Sequence, residues 1–264
     1  MNIISKTLQN KYSTCALIPF ITAGYPTLQT TIEALYILDN KGADIIELGI
    51  PYSDALADGP IIQQASKVAI DQGVHIDEVL DVLSEVIPKI TTPIVIFTYY
   101  NPILAEGVMP FISKISKCGV QGLVIPDLPL EEMDYIIQAC SFFNIELILF
   151  IAPTSSNSRI ESILSKSPGC IYLVSSNGVT GMGQKVDNQI SKLANIIKKR
   201  TKKSIMLGFG IASPDQAYNV SKLNIDGVVV GSAFIKQMSN KSYSSILNDV
   251  GLFCQQLKLA INVK

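Results

Sequence analysis

Eight short apolar runs, each followed by residues at helical spacing, predict an α/β chain folded as a single-domain (β/α)8 TIM barrel with an extra N-terminal helix. The runs are continuous rather than alternating, which is the pattern of strands buried on both faces of a parallel sheet. A length of 264 residues suits such a barrel, which typically runs to about 250. Right-handed crossovers from strand to strand would close it. An open doubly wound sheet could use the same parts. It would normally carry a Gly-rich phosphate turn after its first strand, however, and here that position reads Ala23-Gly24-Tyr25-Pro26. No low-complexity linker or composition shift divides the chain, so residues 1–264 are read as one domain.

Residues 2–12 have a weak helical pattern, with Ile3, Ile4 and Leu8 on one side, suited to capping one end of the domain. The first strand spans about 15–21, and Thr27 or Thr30 can cap the helix that runs to Leu38. Strand 44–50 leads into an acidic loop, and Gly59-Pro60 opens a helix over 61–71, Pro being welcome at the first helical position. A helix over 76–90 precedes strand 94–98, and a short helix over 111–118 precedes strand 122–125. Helix 131–143, strand 146–151, helix 158–165 and strand 170–175 follow. The chain closes with helix 187–200, strand 204–208, helix 214–223, strand 227–230 and an amphipathic helix over 243–259.

Composition narrows the function. Nearly half the residues are apolar and the net charge is −1, which describes a compact soluble protein and offers no global attraction to nucleic acid or an anionic membrane. The basic run Lys198-Lys199-Arg200, with Lys202 and Lys203, falls at a helix end, where cations suit the helix dipole. Five scattered cysteines without a C-x-x-C pair fit neither a disulfide framework nor a zinc site, and are read as reduced core residues. His75 is the single histidine, which removes nearly every His-based triad and most transition-metal sites; it is read as a surface residue. The apolar segment Cys15–Ala23 resembles a signal-peptide core, yet Pro19 interrupts it and it is short of the ~20 residues of a membrane span. No transit peptide is expected either, which fits the cytoplasm, or the plastid stroma for a plastid-encoded chain.

The chemistry gathers at the predicted strand ends, where barrels of this class place their active sites. Glu47 interrupts the run Ile45-Ile46-Glu47-Leu48, and a carboxylate taken out of water needs a partner or a task. Alternation sets Ile45, Glu47 and Gly49 on one side of the strand. If that side is the barrel interior, burial would raise the Glu47 pKa and fit it for proton transfer. A simple bond to a Tyr or Thr hydroxyl is the structural alternative. Asp58, in the following loop, can fold back towards the same pocket. Glycines cluster at three late strand ends: Gly178 and Gly181, Gly208 and Gly210, then Gly231 beside Ser232. Such positions let backbone N–H groups approach a phosphate, although glycine also serves ordinary turns. The loop Asn177–Gln184 reads equally as a lid or a long turn. Phe20, Phe97, Tyr99, Tyr172 and Phe209 could line a flat apolar slot or simply pack the core.

The segments PFITAGYPT, ELGIPYSDALADGPIIQQA, IPDLPLEE, SSNGVTG, GFGIASPDQ and VVGSAF resemble the tryptophan synthase alpha chain family, in order and over essentially the whole sequence. The resemblance implies a lyase that cleaves indole-3-glycerol phosphate to indole and D-glyceraldehyde 3-phosphate. It implies no metal and no cofactor in this chain, and a beta-chain partner that holds pyridoxal phosphate, in an alpha2-beta2 tetramer. Matched by motif, Glu47 is the family's acid/base and Asp58 the carboxylate that bonds the indole N–H. Gly181, Gly210, Gly231 and Ser232 match the phosphate site, Phe20, Tyr99, Tyr172 and Phe209 the indole pocket, and Thr180 a lid residue. Asp54, Asn101 and Pro129 match positions facing the beta chain. Ala55 departs from a frequent proline, and Ser176-Asn177 vary the approach to GVTG.

Three rival readings share parts of this pattern. A stand-alone lyase releasing free indole would use the same residues. A phosphosugar isomerase or epimerase would usually want His, Lys or a metal at strand ends. A subunit that only activates its partner would have no need of both Glu47 and Asp58.

Overall fold

The computed structural model describes residues 2–9, 15–174, 184–208, 210–239 and 242–262, with 184–187 described for their backbone only. Eight parallel strands close into a barrel in sequence order. They are β1 (Ala16–Thr22), β2 (Ile46–Gly49), β3 (Ile94–Phe97), β4 (Gly122–Val124), β5 (Glu146–Ile151), β6 (Ile171–Val174), β7 (Ile205–Gly208) and β8 (Gly227–Val230). Side chains of alternating parity fill two cores, as continuous apolar strands require. Ile46, Leu48 and Ile50 face the helices, whereas Ile45, Phe20, Val95, Val124, Ile148, Tyr172, Met206 and Val229 fill the interior.

The helices follow the predicted alternation, with local differences. Thr27 rather than Thr30 caps α2 (Leu28–Asn40), its hydroxyl accepting from the Thr30 N–H. Gly59 and Pro60 open α3 (Pro60–Asp71) as expected. The helix expected over 76–90 is α4 (Ile76–Val86) followed by one 3-10 turn (Ile87–Lys89), because Pro88 has no N–H to continue the ladder. The exposed His75 caps α4, and its N–H is accepted by Glu78 at 2.9 Å. A further helix, α5 (Tyr100–Glu106), lies in what reads as a loop because Asn101-Pro102 looks like a helix stop. Pro102 sits in its first turn, where a missing N–H costs nothing. Gly107 then separates α5 from α6 (Val108–Lys117) with φ +83°.

The N-terminal helix, α1 (Ile3–Leu8), closes the barrel floor. Ile4 and Leu8 enter the interior core, and Gly122 and Gly227 leave them room: a Cβ there would come within 3.1 Å of Ile4 and 2.8 Å of Leu8. Ile3, expected on the same side, is 53 % exposed. Glu146 holds α1 in place. Its buried carboxylate accepts from the Ser5 N–H at 3.0 Å, the Ser5 hydroxyl at 2.5 Å and the Cys170 N–H at 2.7 Å. The basic run proves structural: Lys198 pairs with Asp226, Arg200 bonds Asn157, and Lys203 donates to the carbonyls of Leu164 and Ser167.

Replacing Glu146 with Ala strands buried N–H donors on two elements. The expected cost is about 3 kcal/mol, read as a lower urea midpoint with an unchanged slope, and α1 should become the first site of limited proteolysis.

Candidate active site at the carboxyl ends of the strands

Glu47 lies on the interior face of β2. Its neighbour Ile45 belongs to the interior core, and a Cβ on Gly49 would sit 2.7 Å from the Phe20 ring. The side chain is 1 % exposed. The Tyr172 hydroxyl donates to Oε2 at a long 3.4 Å, and Oε1 has no hydrogen-bond partner among the described residues. The structural alternative, a hydroxyl partner, is therefore met weakly on one oxygen and not on the other. Desolvation pushes the Glu47 carboxyl up to about 8, the nearby Asp58 charge adds to the rise, and the Tyr172 bond works against it. Gly208 admits the Tyr172 ring, since a Cβ there would stand 2.9 Å from it.

Asp58 is held by loop geometry and by Tyr99, the residue that precedes α5. The Asp58 N–H donates to the Ala55 carbonyl at 3.1 Å, and Gln63 of α3 reaches back to the carbonyls of Ala55 and Asp58. The buried Ala55 thus supplies the carbonyl that folds the turn. Tyr99 completes the arrangement: its hydroxyl donates to Asp58 Oδ2 at 3.0 Å and accepts from the Ala57 N–H at 3.0 Å. Burial raises the Asp58 carboxyl to about 6, with the Tyr99 bond opposing. Burial and the Asp58 charge push the Tyr99 phenol well above its usual range.

The loops after β2, β3 and β4 are tied to one another. Tyr52 packs on Tyr99 with ring centres 5.2 Å apart, and Asn101 donates to the Tyr52 hydroxyl at 3.2 Å. The Tyr100 N–H donates to Asp127 at 2.9 Å. Asp54, Asn101 and Pro129 are exposed, and Leu56, whose N–H donates to the Asp54 carbonyl, is 90 % exposed. The aromatic slot is real in part: Phe20 meets Phe97 edge-on at 5.7 Å, and Phe97 meets Tyr99 at 6.2 Å. Phe150 against Tyr172 at 4.8 Å is an addition, as is Tyr52. Neither is among the aromatics singled out from the sequence, although Phe150 lies near the end of β5 just as Phe97 ends β3.

Of the proposed phosphate residues, Gly231 stands beside Phe20 and Ile62, and Ser232 opens a one-and-a-half-turn helix, Ser232–Gln237. Gly210 is exposed with φ +65°, which explains why glycine stands there. Gly181, Thr180 and Phe209 lie outside the described residues, as does most of the loop 177–184.

A family model described as tryptophan synthase alpha chain matches residues 6–262. The tryptophan synthase alpha chain of Gracilaria tenuistipitata var. liui is 59 % identical over 99 % of this chain and 98 % of its own. That of Antithamnion sp. is 56 % identical over 98 % and 99 %. Among solved structures, Mycobacterium tuberculosis tryptophan synthase superposes with a TM-score of 0.91 at 28 % identity, covering 100 % of this chain and 99 % of the other. The tryptophan synthase complex of Pyrococcus furiosus gives 0.85 at 31 % identity, covering 93 % and 98 %.

The buried carboxyl makes stability depend on pH. Between about 4.5 and about 8 the folded chain keeps a proton on Glu47 that the unfolded chain has lost, so stability falls as pH rises across that window. Asp58 acts in the same direction between 3.8 and about 6. Glu47→Gln cannot ionise and should flatten most of the slope. At pH 8 it should exceed the wild type by a few kcal/mol, each pKa unit being worth about 1.4, as measured by urea unfolding at several pH values.

Proposed function

The chain belongs to the tryptophan synthase alpha chain family, and we propose that Glu47 and Asp58 carry out its reaction within one barrel domain spanning residues 1–264. The chain is a lyase: it cleaves indole-3-glycerol phosphate to indole and D-glyceraldehyde 3-phosphate, the alpha reaction of tryptophan biosynthesis. The observation that carries the residue assignment is Glu47, a buried carboxyl with one oxygen unmatched among the described residues, set beside a second carboxyl at the barrel mouth.

Cleavage is a retro-aldol step, in which indole C3 gains a proton and the adjacent side-chain hydroxyl loses one. Glu47, raised to about 8, begins protonated near neutrality and gives its proton to C3. The ring nitrogen becomes positive, and the Asp58 carboxylate accepts its N–H and stabilises that charge. Glu47, now ionised, takes the hydroxyl proton as the carbon–carbon bond breaks. The aldehyde and indole leave, and Glu47 is protonated again, so the proton count balances. Phe20, Tyr99, Tyr172 and Phe209 would hold the indole. Gly181, Gly210, Gly231 and Ser232 would hold the phosphate, with Thr180 closing over the site. The two carboxyls supply the proton transfer and the charge, so the step needs neither a metal nor a cofactor from this chain.

The solved neighbours include tryptophan synthase complexes. For this chain we infer a beta chain as partner, in an alpha2-beta2 tetramer with pyridoxal phosphate held by the beta chain. The exposed Asp54, Leu56, Asn101 and Pro129 support the carboxyl end of the barrel as the docking face. No described helix is long and apolar enough to cross a membrane, and all five cysteines are free. These support placement in the cytoplasm or the plastid stroma.

Indole release from indole-3-glycerol phosphate, measured with and without a beta chain, tests the assignment. Glu47→Gln should lose roughly 1,000-fold or more in kcat, and Asp58→Asn roughly 100-fold. Wild-type kcat/KM should rise as Asp58 ionises near pH 6 and fall as Glu47 ionises near pH 8. Full activity in Glu47→Gln would overturn the mechanism, and fast release unaffected by any beta chain would favour the stand-alone lyase.

A further inference from the structure

One more polar side chain faces the barrel mouth. Thr22, the last residue of β1, is 1 % exposed, and its Oγ1 has no hydrogen-bond partner among the described residues. Its direction follows from the sheet. Ala16, Ile18 and Phe20 lie in the interior core, while Leu17, Ile21 and Ala23 lie in the outer one, so Thr22 points inward. It is also paired in register with Gly49, which shares the face of Glu47. Thr22 is thus the one polar side chain on the inner face of β1. A buried hydroxyl without a partner costs free energy, and such a group at the mouth of a site calls for a ligand.

Its place in the barrel says which part of a ligand it would meet. Strand β1 lies between β2 and β8. Glu47 is on β2, and Gly231-Ser232 follows β8. Below Thr22 on the same face, Phe20 is paired in register with Glu47 and also lies against Gly231. A three-carbon chain running from the proton-transfer site to the phosphate must therefore cross the end of β1. Thr22 sits one interior step above Phe20 and, from strand rise and spacing, about 8 Å from Glu47 at Cα. The substrate has two side-chain hydroxyls. Glu47 deprotonates the one beside the ring; the other lies one carbon nearer the phosphate and must exchange its water for a protein group.

We propose that the Thr22 hydroxyl hydrogen-bonds this second hydroxyl, the one that survives as the 2-hydroxyl of the aldehyde product, and so selects substrates carrying a vicinal diol. This role rests on the lyase reading above. The bond is present in substrate and product alike, and it orients the carbon chain for cleavage between the ring and the first carbinol carbon. It takes no part in the proton transfers.

The test compares the wild type, Thr22→Val and Thr22→Ser, each with a beta chain present, on indole-3-glycerol phosphate and on the analogue lacking only the second hydroxyl. Valine keeps the β-branched shape and removes a buried unpaired hydroxyl, so its melting temperature should not fall. On the natural substrate, Thr22→Val should lose roughly tenfold in kcat/KM, and Thr22→Ser should stay within about twofold of wild type. On the deoxy analogue, the wild type and Thr22→Val should be equal. An active wild type matched by Thr22→Val on the natural substrate, or an equal loss on both substrates, would overturn the role of Thr22 and leave the lyase standing. A folded wild type that releases no indole would overturn the lyase reading, and this role with it.

Discussion

Glu47 has to keep a carboxyl group inside an apolar barrel with one oxygen unmatched among the described residues, and the features around it either create that condition or limit its cost. Barrel closure makes the interior of β2 inaccessible to water. Gly49 and Gly208 give up their side chains so that Phe20 and Tyr172 can pack against the acid. Tyr172 offers only a long bond, too weak to keep the carboxyl ionised at neutral pH. The resulting rise to about 8 suits Glu47 to the role proposed for it, giving a proton to carbon and taking one from oxygen.

Asp58 meets the opposite requirement. In the proposed reaction it is ionised when substrate is bound, and Tyr99 stabilises that form by donating to it, while the Ala57 N–H in turn donates to the phenol. The two acids are only partly independent, because the charge of Asp58 raises Glu47 further. Behind Tyr99 stand Tyr52 and Asn101, so the geometry of Asp58 is linked through a stacked ring to an exposed surface. The linkage consists of named contacts over two loops and needs no wider rearrangement.

How much of the site was legible beforehand depended on whether a residue broke a local rule. Glu47 broke the hydrophobic run of its strand, and Gly59-Pro60 announced a helix by the conformational limits of proline, so both could be read directly. Asp58 could be read as a second acid within reach, and Tyr99 as an aromatic at a strand end, but nothing local joined the two: the bond from the Tyr99 hydroxyl to Asp58 spans 41 positions. Tyr52 gave no signal, since an aromatic beside a turn is unremarkable until its neighbour is known, whereas Phe150 near the end of β5 carried the same signal as Phe97 and was passed over. Glu146 read as the first residue of a strand. Its task depends on Ser5, 141 positions away in sequence, which no local pattern encodes. The α5 helix was missed because a proline in a first turn and a proline in a loop look alike from the sequence.

Periodicity by itself determined the strand-helix alternation, the eightfold count and the grouping of Glu47 with Ile45 and Gly49 on one face of β2, because burial on two faces and the two-residue repeat leave few alternatives. The closed barrel decided that this face is the interior one. Tertiary structure decided what that acid is like. Whether a carboxyl titrates near 4.5 or near 8 depends on the absence of water and the distance to a single phenol. Both are set by strands and loops far apart in the chain. The same holds for Thr22: its sequence position names a strand end, but only the register with Gly49 and its place between β2 and β8 turn its hydroxyl towards the site.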